Sequence, residues 1–392
     1  MSRSAPFIDA FILYCGVICL MLASMACDRR SRVPQAEPAT HDKPAQPTAA
    51  SIRLITQLPP GRDVHVAVDP LGNIYYTVET AQGDDGVVVV NETVAPRATQ
   101  LSSANILAAL GESPGGSGNI QDLVAGPDGG LWFYFIGGRG RSMHACIGYF
   151  VPRNQSIHIV ADTRRLKQLT GMGDSIGVAR GRLLYRRANP ATICLLLRHT
   201  DAWAILSFSP RQPDPRGQVE IRQTHHRVHG DELEFDLTRE RYVLSAGPGD
   251  SLLLMDLSGG ALFRVDSTGA ATLMNLLIGL PRELSSPLVL DDPNTQASND
   301  AAPLLIFAAD SEPIEADASD LPSRRLPRTT YPALLRLAGK DITAIGRQEL
   351  RAPGGFPAYA MRIRQLVSAP DGTFVAYDLA SGQIVRITLL SG

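Results

Sequence analysis

Most of the usual signs of function are scarce in this sequence. Lys plus Arg number 37 against 39 Asp plus Glu, a balance that excludes the markedly basic surface of a general nucleic-acid binder. The N-terminal apolar run, Phe11 to Ala26, falls short of the roughly 20 residues that span a bilayer comfortably. Cysteine is sparse as well. Of five, Cys15 and Cys19 lie in that run and Cys27 ends it, leaving Cys146 and Cys194 as the one pair that an oxidising compartment could join. Both sit in apolar surroundings, ACIGYF and TICLLL, which favours two separately buried thiols. The glycine-rich stretch 111–118 has no following Lys-Ser/Thr and opens no helix, so it reads as a linker rather than a phosphate loop.

The first 50 residues give an address. Arg3 precedes the apolar run, which ends in small residues, the layout of a secretory signal peptide. The segment Leu22 to Cys27, LASMAC, resembles a bacterial lipobox, in which the cysteine becomes the lipid-modified first residue. Ser24 stands where Leu is commonest, and Asp9 lies close to the apolar region. Two alternatives remain open. Arg29, Arg30 and Arg32 would favour an uncleaved anchor, since basic residues prefer the cytoplasmic side, and plain secretion is the other. Residues 33–50 carry Pro34, Pro38, Pro44 and Pro47 among Ala, Thr and Gln, a composition that stays extended and solvated. The expected organisation is a signal peptide over 1–26, a lipidated Cys27 with its tether over 27–50, and one folded domain over 51–392, carried on the periplasmic or extracellular face of the envelope.

That domain is repetitive. VAVDPLGNIYYT (66–77), LVAGPDGGLWFY (123–134) and LVSAPDGTFVAY (366–377) share a short apolar run, a Pro/Gly turn and a second apolar run. Val66, Leu123, Leu244 and Leu366 each stand four residues before Pro70, Pro127, Pro248 and Pro370. The second runs are apolar on both faces, which predicts strands sandwiched between neighbouring sheets. Each pair is followed by a further hairpin, as in 86–101, 146–160, 204–222, 261–274 and 333–345. Four strands per unit is the blade of a β-propeller, and repetition at this period points to the same architecture. Unit starts near residues 64, 120, 174, 241, 285 and 363 predict six blades, the third and fifth without a clear Pro/Gly turn. The last unit runs out of chain after 383–390, so residues 52–58 are expected to supply its fourth strand and close the ring.

By these turns, with the phrase xPDGxLWF the nearest match, the chain resembles the propellers that include streptogramin lyase, NHL-repeat and gluconolactonase-like proteins. The resemblance covers most of residues 51–392 and implies architecture. Streptogramin lyases use a catalytic His with acidic and metal-binding partners, and no such set matches here residue by residue. The spaced Glu, Asn and Asp of a gluconolactonase metal site are not found either.

Candidate site residues are few. Five positions before the turn prolines stand His65, Asp122, Val243 and Gln365, inferred to face the axis; three of the four are polar. His225 and His229, near Asp231, Glu232 and Glu234, could hold a transition metal, although a solvated loop is the simpler reading. The acidic segment with Asp310, Glu312, Glu315, Asp317 and Asp320 lacks the order of a calcium loop. Arg139, Arg141, Arg164, Arg165 and Lys167 form a basic cluster, read as solvated charge. The expectation is a tethered module that binds an envelope protein or polysaccharide, with no cofactor and no nucleic acid. The alternative is a lyase or hydrolase using a divalent metal at the axial mouth.

Overall fold

The computed structural model describes residues 50–389 apart from 61–62, 80–83, 92, 113–114, 140–141, 187–191, 201, 210–220, 226–234, 240–241, 248–250, 257–260, 277–287, 291–303, 309–333, 339–340, 346–362 and 380; at 50–51, 186, 221–225, 275–276, 288–290, 304–308, 334–338, 341–345, 364 and 389 it describes backbone alone. The leader, Cys27 and the tether lie outside the described residues.

The chain is an all-β propeller. After β1 (Ala50–Gln57) the strands follow one another as antiparallel sheets. The first sheet is β2 (Val66–Val68), β3 (Ile74–Glu79), β4 (Asp85–Val90) and β5 (Arg97–Ser102). The second is β6 (Ser117–Ala125), β7 (Leu131–Arg139), β8 (Ser142–Val151) and β9 (Ser156–Ala161). The third is β10 (Arg180–Arg186), β11 (Thr192–Arg198), β12 (Trp203–Phe208) and β13 (Ile221–His225). The fourth is β14 (Tyr242–Ala246), β15 (Leu252–Asp256), β16 (Ala261–Val265) and β17 (Ala271–Leu276). A fifth, described by backbone pairing alone, is β18 (Leu288–Leu290), β19 (Leu304–Ala308), β20 (Leu334–Ala338) and β21 (Asp341–Ile345). The last joins β22 (Ile363–Ser368), β23 (Phe374–Asp378) and β24 (Gln383–Leu389) to β1, which runs antiparallel to β24 with Ile52 opposite Ile387 and Leu54 opposite Val385. First strands lie side by side in chain order, β2 by β6, β6 by β10, β10 by β14, β14 by β18 and β18 by β22, and β22 lies beside β2.

Turn chemistry explains the hairpins. Gly72, Gly129 and Gly372 have φ of 81°, 80° and 79°, a left-handed conformation in which a Cβ is strained. Each donates its N–H to the carbonyl three residues back, at 2.9, 3.2 and 3.1 Å for Asp69, Gly126 and Ala369. Pro70, Pro127 and Pro370 pre-set the φ of the second turn residue. The same local solution thus recurs in three sheets.

Packing follows the pleat. In β7, Leu131, Phe133 and Phe135 join Ala67, Tyr75 and Val87 of the first sheet in one core, whereas Trp132 and Tyr134 join Leu183, Ile193, Leu195 and Leu206 of the third in another. β11 repeats the arrangement: Ile193, Leu195 and Leu197 face the second sheet, while Cys194 and Leu196 face Leu244, Leu252 and Leu254 of the fourth. Residues successive along a strand point to opposite faces, so a strand buried on both sides must be apolar throughout. Ile74, Tyr76 and Val66 meet Val375, Tyr377 and Ile384 between the first and last sheets. Cys146 and Cys194 are buried in different cores and form no disulfide, and burial pushes the Cys146 thiol well above its ordinary pKa.

Two short helices occupy connections that carry no helical signal in the repeat pattern. α1 (Ser103–Ala109) starts at Ser102, whose hydroxyl accepts from the Asn105 N–H, and buries Ile106 and Leu107 in the core between the first two sheets. α2 (Thr163–Thr170) is capped by Asp162 and ended by left-handed Gly171, with Leu166 in the next core. A 3₁₀ turn, Gly173–Val178, leads from α2 to β10.

Close approach of sheets is set by glycine opposite aromatic rings. A Cβ on Gly181 would lie 2.0 Å from Tyr134 Cδ1, and the Tyr134 hydroxyl donates to the Ala179 carbonyl at 2.9 Å. The Tyr134 ring is fully buried and cannot swing aside. Gly181→Ala is expected to lower stability by about 1–3 kcal/mol, the cost of overpacking a filled core; urea unfolding measures it, and an unchanged midpoint would mean that the second and third sheets are not packed this closely.

Candidate functional site

Of the four positions inferred to face the axis, three carry polar side chains and all lie in or just before first strands. His65 directly precedes β2. Asp122 and Gln365 each follow a register irregularity, between Ile120 and Asp122 in β6 and between Ile363 and Gln365 in β22. An extra residue at such a point re-aims the side chains beyond it. Val243 sits in regular register opposite Met255 and supplies nothing polar.

The polar side chains reach across to the adjacent sheet. The Gln365 amide clamps both backbone groups of Val66: its Oε1 accepts the Val66 N–H at 2.8 Å and its Nε2 donates to the Val66 carbonyl at 3.1 Å. Asp122 Oδ2 accepts the Leu183 N–H at 2.8 Å, and its Oδ1 accepts the Leu123 N–H at 2.9 Å. His65 Nδ1 lies 3.6 Å from Asp122 Oδ1. From the first sheet, Asp85 Oδ2 accepts the Ile120 N–H at 2.8 Å. His65 is itself fixed by two bonds to Thr77: its N–H donates to the Thr77 hydroxyl at 2.9 Å and its carbonyl accepts the Thr77 N–H at 3.0 Å. The series Gln365 to Val66, His65 to Asp122, Asp122 to Leu183 steps around the axis one sheet at a time.

The structure therefore brings His65 and Asp122 together, and it ties Gln365 to the residue next to His65. Among the described residues no group of three or more His, Cys, Asp or Glu side chains converges as a metal site would require. His225 ends β13, described by backbone alone, and His229 lies outside the described residues, as does the acidic segment 310–320. Of the basic cluster, Arg139 is exposed at the end of β7, Arg164 and Arg165 are exposed on α2, and Lys167 pairs with Asp174 at 2.5 Å; Arg141 is outside the described residues.

One constellation was missed by sequence reasoning. His144 Nε2 stands 2.9 Å from Glu112 Oε1 and 3.2 Å from Ser142 Oγ. These are the residue types of a nucleophile relay, but such a relay needs the two imidazole nitrogens to face different partners. Here both contacts converge on Nε2, so the geometry fastens the β7–β8 hairpin to the segment before β6 and does not activate the serine. Only the folded arrangement juxtaposes Glu112 with His144; spacing in the chain gives no cue.

The charge balance at the mouth has a pH consequence. Burial disfavours protonated His65, but the hydrogen bond and charge of Asp122, aided by Asp63 and Asp85, outweigh it and hold the imidazole above its ordinary pKa. Burial likewise raises the Asp85 carboxyl, against the Ile120 N–H and the His65 charge. A histidine raised in the fold contributes stability that is fully present below its unfolded pKa of about 6.5 and is lost as pH rises through the folded value. The stability difference between the parent and His65→Gln is expected to be largest below about pH 6 and to shrink at higher pH. Urea titrations across pH 5–9 read it out. A difference that does not vary with pH would show that the His65–Asp122 pair is not ionic.

No protein-family model and no curated protein matches the sequence. Among solved structures, an auxiliary nutrient-binding protein from Bacteroides ovatus is similar over 88% of this chain and 78% of its own, at 10% identity and a TM-score of 0.51. A streptogramin B lyase is similar over 87% of this chain and 98% of its own, at 12% identity and a TM-score of 0.44. A gluconolactonase from Xanthomonas campestris aligns over 92% of this chain and all (100%) of its own, at 10% identity and a TM-score of 0.32. The chain is a β-propeller, built of four-stranded antiparallel sheets and similar in fold to the Bacteroides ovatus protein.

Proposed function

We propose that the chain is an envelope-tethered binding module, its propeller held off the membrane by a lipidated Cys27 and a proline-rich tether and presenting its loop faces to an envelope protein or glycan. The observation that carries this reading is the use made of the polar residues at the mouth. Gln365 and Asp122 hydrogen-bond the backbone of neighbouring sheets, and His65 is paired with Asp122. These side chains hold the ring together, whereas a lyase or hydrolase using them would need their polar atoms directed at substrate or metal. The Bacteroides ovatus propeller is named for nutrient binding, which is in keeping with a binding role, though the likeness itself speaks to fold.

In this reading the sheets are six blades of one ring, with β1 as the outer strand of the last. The pairing of β1 with β24 supports it, as do the Leu58 N–H donating to the Gly382 carbonyl at 2.8 Å and the place of β22 beside β2. A ring joined in this way has no free edge where it meets itself.

Two measurements test the proposal. Deleting residues 51–58 is expected to abolish cooperative unfolding, and a truncated chain that melts like the parent would remove β1 from the closure. For the tether, Cys27→Ser is expected to move the protein from the membrane fraction to the soluble exported fraction; unchanged fractionation would refute lipid anchoring. Elemental analysis separates the alternative, because stoichiometric divalent metal on the purified parent would favour a metal-dependent lyase or hydrolase.

A further inference from the structure

Within the binding reading, on which this inference rests, we infer that the cleft between the first and second sheets is a binding site for an acidic saccharide, held through its carboxylate by Arg97 and Arg153. The cleft has a volume of about 360 Å³ and is lined by Arg97 and Thr99 of β5, Asn73 and Tyr75 of the β2–β3 hairpin, and Pro152, Arg153 and Gln155 of the β8–β9 turn. That size falls within the about 300–1,000 Å³ typical of small-ligand sites. In an antiparallel sheet taken in chain order, the first and third turns share one end, so the cleft opens on the same face as the proline turns.

Charge gives the ligand class. Arg97 and Arg153 are both exposed, and among the described residues neither forms an ion pair. Each guanidinium offers a planar fork of donors that matches a carboxylate. The nearby carboxylate, Asp69, is buried and committed: it accepts from the Leu71 and Asn73 N–H groups at 2.9 Å each, from Asn73 Nδ2 at 2.8 Å and from the Tyr75 hydroxyl at 3.3 Å. Tyr75, as donor to Asp69, keeps oxygen lone pairs free to accept from a sugar hydroxyl. Pro152 and Val89 supply the apolar wall against which a pyranose face can rest.

A second observation points to the same place. Gln155 has φ 58°, the one positive value at a non-glycine residue among the described residues. Such strain persists where the surroundings over-determine it, and it concentrates at ligand sites. Gln155 Nε2 donates to the Pro152 carbonyl at 2.6 Å, and its Oε1 accepts the Gln100 N–H of the first sheet at 2.9 Å. The strained residue thereby fixes the Arg153 turn against the strand that carries Arg97.

Isothermal titration of the detergent-solubilised full chain with digalacturonate tests the assignment, with lactose and inorganic phosphate as the neutral and sugar-free probes. The parent is expected to bind digalacturonate, more weakly at higher salt, and to bind lactose or phosphate at least tenfold less well. Arg97→Ala and Arg153→Ala are each expected to reduce digalacturonate affinity at least tenfold with an unchanged melting temperature, since both side chains are exposed. Equal affinity in parent and variants would overturn the cleft, and phosphate binding as tight as digalacturonate would overturn the saccharide. A parent that sediments with envelope polysaccharide together with both variants sinks this inference and leaves the binding module standing; a parent carrying stoichiometric metal sinks the module itself.

Discussion

The structure depends on strands that are buried on both faces. In the first three sheets the second strand sends alternate side chains into two different cores, so each of these sheets shares its apolar faces with both neighbours. Trp132 and Tyr134 belong to the third sheet's side while Leu131, Phe133 and Phe135 belong to the first's. Burial of one such large side chain is worth about 1.5–3 kcal/mol, and β7 alone places five of them out of solvent. Sheets this close need small residues opposite large ones, which is why Gly181 of the third sheet faces Tyr134 of the second. The linear order of sheets follows from the same requirement, since each new sheet offers the apolar face that the preceding one lacks.

Near the axis the sheets converge, and apolar packing gives way to hydrogen bonds. First strands there have backbone groups with no strand partner on their inner side, and a buried N–H left unpaired is costly. Gln365, Asp122 and Asp85 answer that need at Val66, Leu183 and Ile120. The polar character of the mouth therefore has a structural cause before any chemical one. It also explains why one sheet-to-sheet step carries a titratable contact: His65 meets a carboxylate already anchored by two backbone donors.

Much of the fold was legible in the chain because turn chemistry is local. Pro and a left-handed Gly at fixed spacing specify a hairpin whatever surrounds it, and the runs beside them reported two-sided burial by their failure to alternate. The partner stretches for β1 and β24 were legible for a related reason: a unit short of one strand leaves an edge, and the segment before the first unit has the composition of an outer strand. The helices α1 and α2 were not, since seven and eight residues without a long amphipathic pattern say little, and their Ile106 and Leu166 are recognisable as core only once the sheets they cover are in place. The positions of His65, Asp122 and Gln365 on inner strands could be read from spacing. The cross-sheet partners of Asp122 and Gln365 could not, because those are backbone groups of another sheet, reached only after an irregularity in β6 and β22 turns the side chain.

The Arg97 and Arg153 cleft belongs to the same class of feature. Arg97 opens an outer strand of one sheet and Arg153 lies in an outer turn of the next, so no motif within either segment announces the pair. What joins them is the side-by-side placement of the two sheets and the Gln100 N–H donated across the gap to Gln155 Oε1. A propeller built on two-faced inner strands leaves its outer strands and turns free of packing duties on at least one side, so charge can accumulate there without disturbing a core. Recognition at the rim and cohesion at the axis are in this sense separate tasks, assigned to different strands of the same sheet by how far each lies from the centre.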